Sequence, residues 1–90
     1  MIEELFATIK ERQQSSPEGS YTASLFDKGE DEILKKVGEE SVEVILAAKS
    51  QGNERLIQEI SDLTYHLLVL LASRGLNPSD IATELEKRKR

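Results

Sequence analysis

The sequence contains no cysteine, no tryptophan and only one histidine. Without cysteine the chain cannot form disulfides, use a thiolate nucleophile or bind zinc through thiolates. One histidine with no nucleophile elbow gives no Ser-His-Asp arrangement, and no Glu-x-x-His motif of a di-iron bundle occurs. A P-loop and a Gly-x-Gly-x-x-Gly motif are also missing. These absences exclude the commonest catalytic motifs. The lack of cysteine fits a reducing compartment, and we expect the protein in the cytoplasm.

Long apolar runs and an excess of basic residues are missing too. The longest apolar run, 67–72, is far too short to cross a bilayer, and the amphipathic, acid-bearing start is unlike a secretory signal. The net charge is -5, whereas nucleic-acid binding usually needs a basic balance. We therefore expect no membrane segment and no nucleic-acid partner. The basic tail 87–90 is typical of a frayed helix end that complements the helix dipole.

Apolar residues recur at helical spacing in four stretches, and no stretch alternates as a strand would. The 90 residues predict one all-α domain, 1–90, with helices over about 2–14, 30–50, 54–73 and 78–87. Between the first two lies a predicted long loop, 15–29, with at most a short helical turn at 23–27. Gly52 is expected to end the second helix, and Asn53 to cap the third. Asn77-Pro78-Ser79-Asp80 predicts a well-capped last helix.

Each helix after the predicted loop has an apolar stripe that we expect to face the core. In the second helix the stripe comprises Ile33, Leu34, Val37, Ser41, Val44, Ile45 and Ala48. In the third it comprises Leu56, Ile60, Leu63, Leu67, Leu70 and Leu71, and in the last Ile81 and Leu85. Val42 and Leu46 lie outside these stripes, so we expect a homodimer or larger even oligomer that covers them.

Two acidic clusters, Glu39-Glu40-x-x-Glu43 and Glu59-x-x-Asp62, lie in consecutive predicted helices joined by a turn. Residues three or four apart share a helix face, so an antiparallel pair would bring four carboxylates together. Their repulsion and partial burial would be costly unless a divalent cation binds, and hard oxygen ligands suit Mg²⁺ or Mn²⁺. The alternative is a solvated acidic face on a non-catalytic helical dimerisation module.

A wider set of motifs carries a family resemblance. Ser20-Tyr21-Thr22, Lys28-Gly29, Lys36-Val37-Gly38-Glu39-Glu40 and Asp62-Leu63-x-Tyr65-His66 surround the acids. Together they resemble the all-α MazG-type nucleoside triphosphate pyrophosphohydrolases and, within them, the phosphoribosyl-ATP pyrophosphatase family of histidine biosynthesis. The similarity extends over 5–85, and Ser41 replaces a residue that is commonly alanine or glycine in that family.

The resemblance implies a four-helix MazG-like bundle completed by dimerisation. It also implies Mg²⁺-dependent hydrolysis of a small-molecule substrate, phosphoribosyl-ATP, to phosphoribosyl-AMP and pyrophosphate. The implied metal ligands are Glu40, Glu43, Glu59 and Asp62. Glu39 is a further ligand, a group behind the ligands, or the base for the attacking water. The implied substrate contacts are Arg12, Ser20, Tyr21, Thr22, Lys28, Lys36 and His66. A MazG-type enzyme acting on another nucleoside triphosphate is the alternative.

Overall fold

In the computed structural model, which describes residues 1–89, the chain forms five α-helices and no strand over those residues. The helices are α1 (Ile2–Ser15), α2 (Tyr21–Lys28), α3 (Glu30–Ser50), α4 (Gly52–Ser73) and α5 (Pro78–Lys87). The all-α class is confirmed, but these residues form five helices where four were expected. Arg90, the last residue of the basic tail, lies outside the described residues.

Helix α2 occupies about half of 15–29, the segment for which the sequence predicts a loop. The Ser20 hydroxyl oxygen accepts a hydrogen bond from the backbone N–H of Ala23 at 3.1 Å and caps the helix. Gly29, with φ of 99°, ends it in a conformation that favours glycine. Ala23 and Leu25 are buried. An eight-residue helix is too short to show a helical period, which is why the sequence pattern indicated no more than a short turn at 23–27.

Helices α3 and α4 form a tight antiparallel hairpin. Only Gln51 separates them, and Gly52, with φ of 87°, reverses the chain direction. At the open end Arg74 forms a two-point ion pair with Glu30, with one Nη2–Oε2 distance of 3.1 Å. The expected Asn53 cap is wrong: α4 begins at Gly52, and no side chain within residues 1–89 caps its N-terminus.

The start of α5 agrees with the sequence prediction. The Asn77 side chain accepts from the backbone N–H of Ser79, and Asp80 accepts from the backbone N–H of Asn77, both at 3.0 Å. Gly75, with φ of 70°, follows the end of α4. Within residues 1–89 none of the helices combines the length and apolarity that a bilayer crossing needs.

The core lies where α1, α2 and α3 meet the second half of α4. Its buried members are Ile9, Leu25, Ile33, Leu68, Val69 and Ala72. The predicted stripes were therefore only partly right. In α3 only Ile33 of the predicted stripe is buried, whereas Leu34, Ile45 and Ala48 are exposed. In the remaining helices the exposed members of the predicted stripes are Ile60, Leu67, Ile81 and Leu85. A helical wheel identifies an apolar face but not which part of it the neighbouring helices cover.

Candidate active site

Three of the four predicted metal ligands meet between α3 and α4. Glu40 and Glu43 lie on one face of α3, and Glu59 faces them from α4 because the hairpin is antiparallel. Each offers one carboxylate oxygen, and these oxygens all lie within 4.8 Å of one another. Glu59 is only 3% exposed. The hairpin thus brings three carboxylates to one partly buried point.

The fourth predicted ligand, Asp62, borders this group. Its side chain is exposed and lies outside the set of three convergent oxygens, one turn after Glu59 on α4. A hydrogen bond with Glu43, together with burial and the Glu43 charge, raises the pKa of Glu59 to about 7. Asp62 adds slightly to this rise, and Arg55, whose Nη2 lies 3.5 Å from Glu59 Oε2, opposes it. Glu59 therefore holds a proton easily in the metal-free protein.

One carboxylate oxygen in the group lacks a partner. Glu40 Oε2 is buried and has no hydrogen-bond partner among the described residues. Buried oxygen acceptors nearly always have a partner, since leaving one unsatisfied is costly. Carboxylate oxygens are the donors that hard divalent cations prefer. The arrangement therefore fits a cation whose ligands would be Glu40, Glu43 and Glu59, with Asp62 close by.

An open groove of about 520 Å³ adjoins the acids on the α3 side. Lys36 and Glu39 line it beside Glu40 and Glu43, and Val42 and Leu46 form its apolar edge. Lys36 Nζ lies 3.6 Å from Glu39 Oε1, so Glu39 turns toward the lysine rather than into the group of three carboxylates. The groove thus offers one ammonium group and one further carboxylate next to the cluster.

The start of α2 is hydrogen bonded to α4 at residues that follow Asp62. His66 is buried, and its Nδ1 lies 2.8 Å from the backbone carbonyl oxygen of Asp62. A carbonyl oxygen only accepts, so Nδ1 carries the hydrogen and, in the neutral ring, Nε2 accepts from the Tyr21 hydroxyl at 3.0 Å. The Thr22 and Tyr65 hydroxyls share a second hydrogen bond. His66 therefore contacts the Asp62 backbone rather than its carboxylate.

The remaining predicted substrate contacts lie elsewhere. Arg12 pairs with Glu11 at 3.1 Å and, with Ser20, lines a second cavity of about 460 Å³. Ser20 also caps α2, although its hydroxyl hydrogen stays free to donate. Lys28 is exposed at the last position of α2. The role of these three residues stays a prediction.

Comparison with known proteins gives the family. The family model described as phosphoribosyl-ATP pyrophosphohydrolase matches residues 2–89. The chain belongs to this family. It is 54% identical to the phosphoribosyl-ATP pyrophosphatase of Pelotomaculum thermopropionicum, over 99% of this chain and 91% of the relative. The corresponding protein of Clostridium botulinum is 55% identical over 99% and 81%, and that of Saccharolobus solfataricus 48% identical over 100% and 96%. The resemblance seen in the sequence is confirmed.

Two side chains of this family member contribute to the site without having been predicted to do so. Arg55 pairs with Glu59, and the four-residue spacing of the two on α4 could have revealed the pair. Tyr65 bonds Thr22 and stacks on Tyr21, with ring centroids 6.2 Å apart. Its place next to His66 in the motif was visible, but nothing local connects it to residues more than forty positions earlier.

Proposed function

We propose that this chain hydrolyses phosphoribosyl-ATP to phosphoribosyl-AMP and pyrophosphate, in the histidine pathway. The proposal rests on the family match over 2–89, and the single structural observation that supports it is the convergence of Glu40, Glu43 and Glu59 around an unpartnered buried oxygen. The phosphate-acting families that use such carboxylate groups need cations to neutralise the polyphosphate charge. An acidic cluster with no cation would repel the substrate.

Mg²⁺ is the cation that we propose, held by Glu40, Glu43, Glu59 and Asp62. When bound, it would neutralise the triphosphate oxygens and favour an attacking water. The first three side chains converge, and Asp62, one turn after Glu59 with an exposed side chain, is the fourth ligand that we propose. Mn²⁺ prefers similar oxygen ligands and is expected to substitute.

Side chains of the protein itself position the substrate and accept the proton of the attacking water. Lys36 lines the groove beside the acids and can place its ammonium group against the phosphates. Glu39 is the carboxylate we propose to accept the proton of the attacking water, because it lies outside the three convergent oxygens. The water oxygen bonds to the α phosphorus while the bond from that phosphorus to the bridging oxygen breaks. Pyrophosphate then leaves with the bridging oxygen.

We further propose that the working unit is a cytoplasmic homodimer. Val42, Ile45, Leu46 and Ile57 are each more than half exposed, an unusual number of large apolar side chains for a chain of 90 residues. Three of them lie on α3, and Val42 and Leu46 line the groove, so a second copy that covers them would also border the acidic site. A domain of this size buries a modest core alone and gains stability from pairing.

The test compares three substrates in parallel. Phosphoribosyl-ATP, ATP and dUTP are incubated with the protein, with and without Mg²⁺, and pyrophosphate is assayed separately from orthophosphate. We expect pyrophosphate from phosphoribosyl-ATP only with Mg²⁺, and little from the other two. In variants that change Glu40, Glu43, Glu59 or Asp62 to the corresponding amide, we expect this release to fall. Glu86→Gln, which changes an exposed acid of α5, is the matched control for them. Preferential release from ATP or dUTP would identify a different nucleotide substrate.

A further inference from the structure

Tyr21 is the one aromatic side chain with a largely open surface among the described residues. It is 49% exposed at the first position of α2, whereas Phe6, Phe26 and Tyr65 are partly buried against the core. An aromatic ring left half in water gives up the burial energy that usually keeps such rings inside. Its exposure therefore asks for an explanation.

The Tyr21 ring is held in place by contacts with α4. Its hydroxyl hydrogen is committed to His66 Nε2 at 3.0 Å, and His66 is in turn fixed by the Asp62 carbonyl at 2.8 Å. The ring stacks on Tyr65 with an interplanar angle of 27° and meets the His66 ring edge-on at 82°. A tyrosine whose hydroxyl and inner face are both engaged offers a ligand its outer ring face, not a hydrogen-bond donor.

The Tyr21 ring contacts α4 at His66, four residues after Asp62 of the second acidic cluster. His66 follows Glu59 by seven residues on one face of α4, about 10 Å along the helix axis. Burial raises the pKa of Tyr21, the Lys36 charge opposes the rise and the Glu40 charge adds to it. A nucleotide with its phosphates at the carboxylates has ribose and base to span such a distance.

We infer that the outer face of Tyr21 is the platform on which the adenine of the substrate stacks. The identity of the base rests on the proposed function; the platform itself rests on the fixed, exposed ring. Every base has a π face, and its stacking on an aromatic side chain changes affinity by about 5- to 150-fold. Tyr21 would then set how tightly the substrate binds, while the acids set how fast it reacts.

Kinetics of two variants separate the ring from the hydroxyl. Tyr21→Leu keeps apolar bulk but loses the ring, and it should raise the KM for phosphoribosyl-ATP by about 5- to 150-fold with kcat nearly unchanged. Tyr21→Phe keeps the ring but loses the hydroxyl that holds it against His66, so it should raise the KM less than Tyr21→Leu does. An unchanged KM in Tyr21→Leu, or an equal rise in Tyr21→Phe, would overturn the inference.

A binding measurement gives an answer that does not depend on the reaction. The chain has two tyrosines and no tryptophan, so in Tyr65→Phe the emission comes from Tyr21 alone. With Mg²⁺ present, α,β-methylene-ATP should quench this emission saturably, and inorganic tripolyphosphate, which has no base, should not. If α,β-methylene-ATP does not quench the emission, or if tripolyphosphate quenches it equally, the inference is overturned. Quenching in a protein that fails to release pyrophosphate would reject the proposed function and leave the platform standing.

Discussion

One carboxylate oxygen of Glu59 on α4 and one of Glu43 on α3 lie within 4.8 Å of each other. Two ionised carboxylates this close repel each other, so a proton on the pair is favoured when no metal is bound. Hydrogen bonding with Glu43, burial and the Glu43 charge raise the pKa of Glu59 to about 7. A cation placed among these oxygens takes over the role of that proton, so metal binding and proton release are linked at this site.

The first prediction follows from that raised pKa. In the unfolded chain Glu59 ionises near its ordinary value of 4.5, whereas the metal-free folded chain keeps the proton up to about pH 7. The folded state therefore binds more protons in this interval, and the free energy of unfolding attributable to Glu59 falls as pH rises through it. Urea denaturation in EDTA at several pH values should show this fall in the wild type and a flatter profile in Glu59→Gln. Parallel profiles would contradict the raised pKa.

The second prediction separates a metal site from a structural acid network. Glu43→Gln removes one negative charge from a repelling group, so the metal-free variant should melt at the same temperature as the wild type or higher. Mg²⁺ should stabilise the wild type by about 2.7 kcal/mol at 100 times its Kd, and the variant less. Activity of the variant should fall by orders of magnitude at a fixed Mg²⁺ concentration. Thermal melts with and without Mg²⁺ measure the stability part.

Glu86→Gln removes a charge from an exposed site outside the cluster and should respond to Mg²⁺ as the wild type does. The metal-site interpretation fails if Glu43→Gln melts lower than the wild type without metal and neither protein responds to Mg²⁺.

The third prediction concerns Lys36. Lys36→Ala should lower kcat/KM by about 10- to 100-fold, the effect of losing one hydrogen bond to a charged group, with little change in the melting temperature. The side chain lines the groove and pairs with Glu39, but it is no part of the core. Lys35→Ala, its exposed neighbour, is the matched control and should be neutral. Equal kinetics for the two variants would make Lys36 an ordinary surface charge.

The fourth prediction concerns the mid-helix glycine of α3. A Cβ added at Gly38 would meet no described atom within 4 Å, so no close contact within residues 1–89 explains the residue. Gly38→Ala should stabilise the protein by about 1 kcal/mol through helix propensity, which raises the melting temperature by about 4–8 °C in a domain of this size. A lower melting temperature would mean that a second copy packs closely there. Lost activity with raised stability would mean that the substrate does.

The fifth prediction tests the homodimer. The wild type should sediment as a species of twice the chain mass of 10.1 kDa at micromolar concentration. Ile45 is 60% exposed on α3, so Ile45→Glu should shift the protein toward monomer with loss of activity. Gln14→Glu, an exposed position on α1 that adds the same charge, is the control. A folded and active wild-type monomer would refute the dimer.

The sequence was sufficient for several features that depend on residues a few positions apart, although not for the Ser20 cap of α2 or the start of α4. The three-residue spacing of Glu40 and Glu43 put them on one face of α3, and the turn at Gly52 returned Glu59 to meet them. The Asn77 cap of α5 was equally readable, because a cap involves only its own four residues. The motifs around the acids identified the family for the same reason: they are local patterns of residue types.

The tertiary structure decided what depends on distant residues. The hydrogen bond between Tyr21 and His66 joins positions 45 apart, and the core draws on Leu68 and Val69 rather than the predicted Leu67. No periodicity records which of two adjacent apolar faces a neighbouring helix will cover, because that choice is made by packing several helices together. The same packing exposes the ring of Tyr21, since the hydroxyl that fixes it must reach across from α2 to α4.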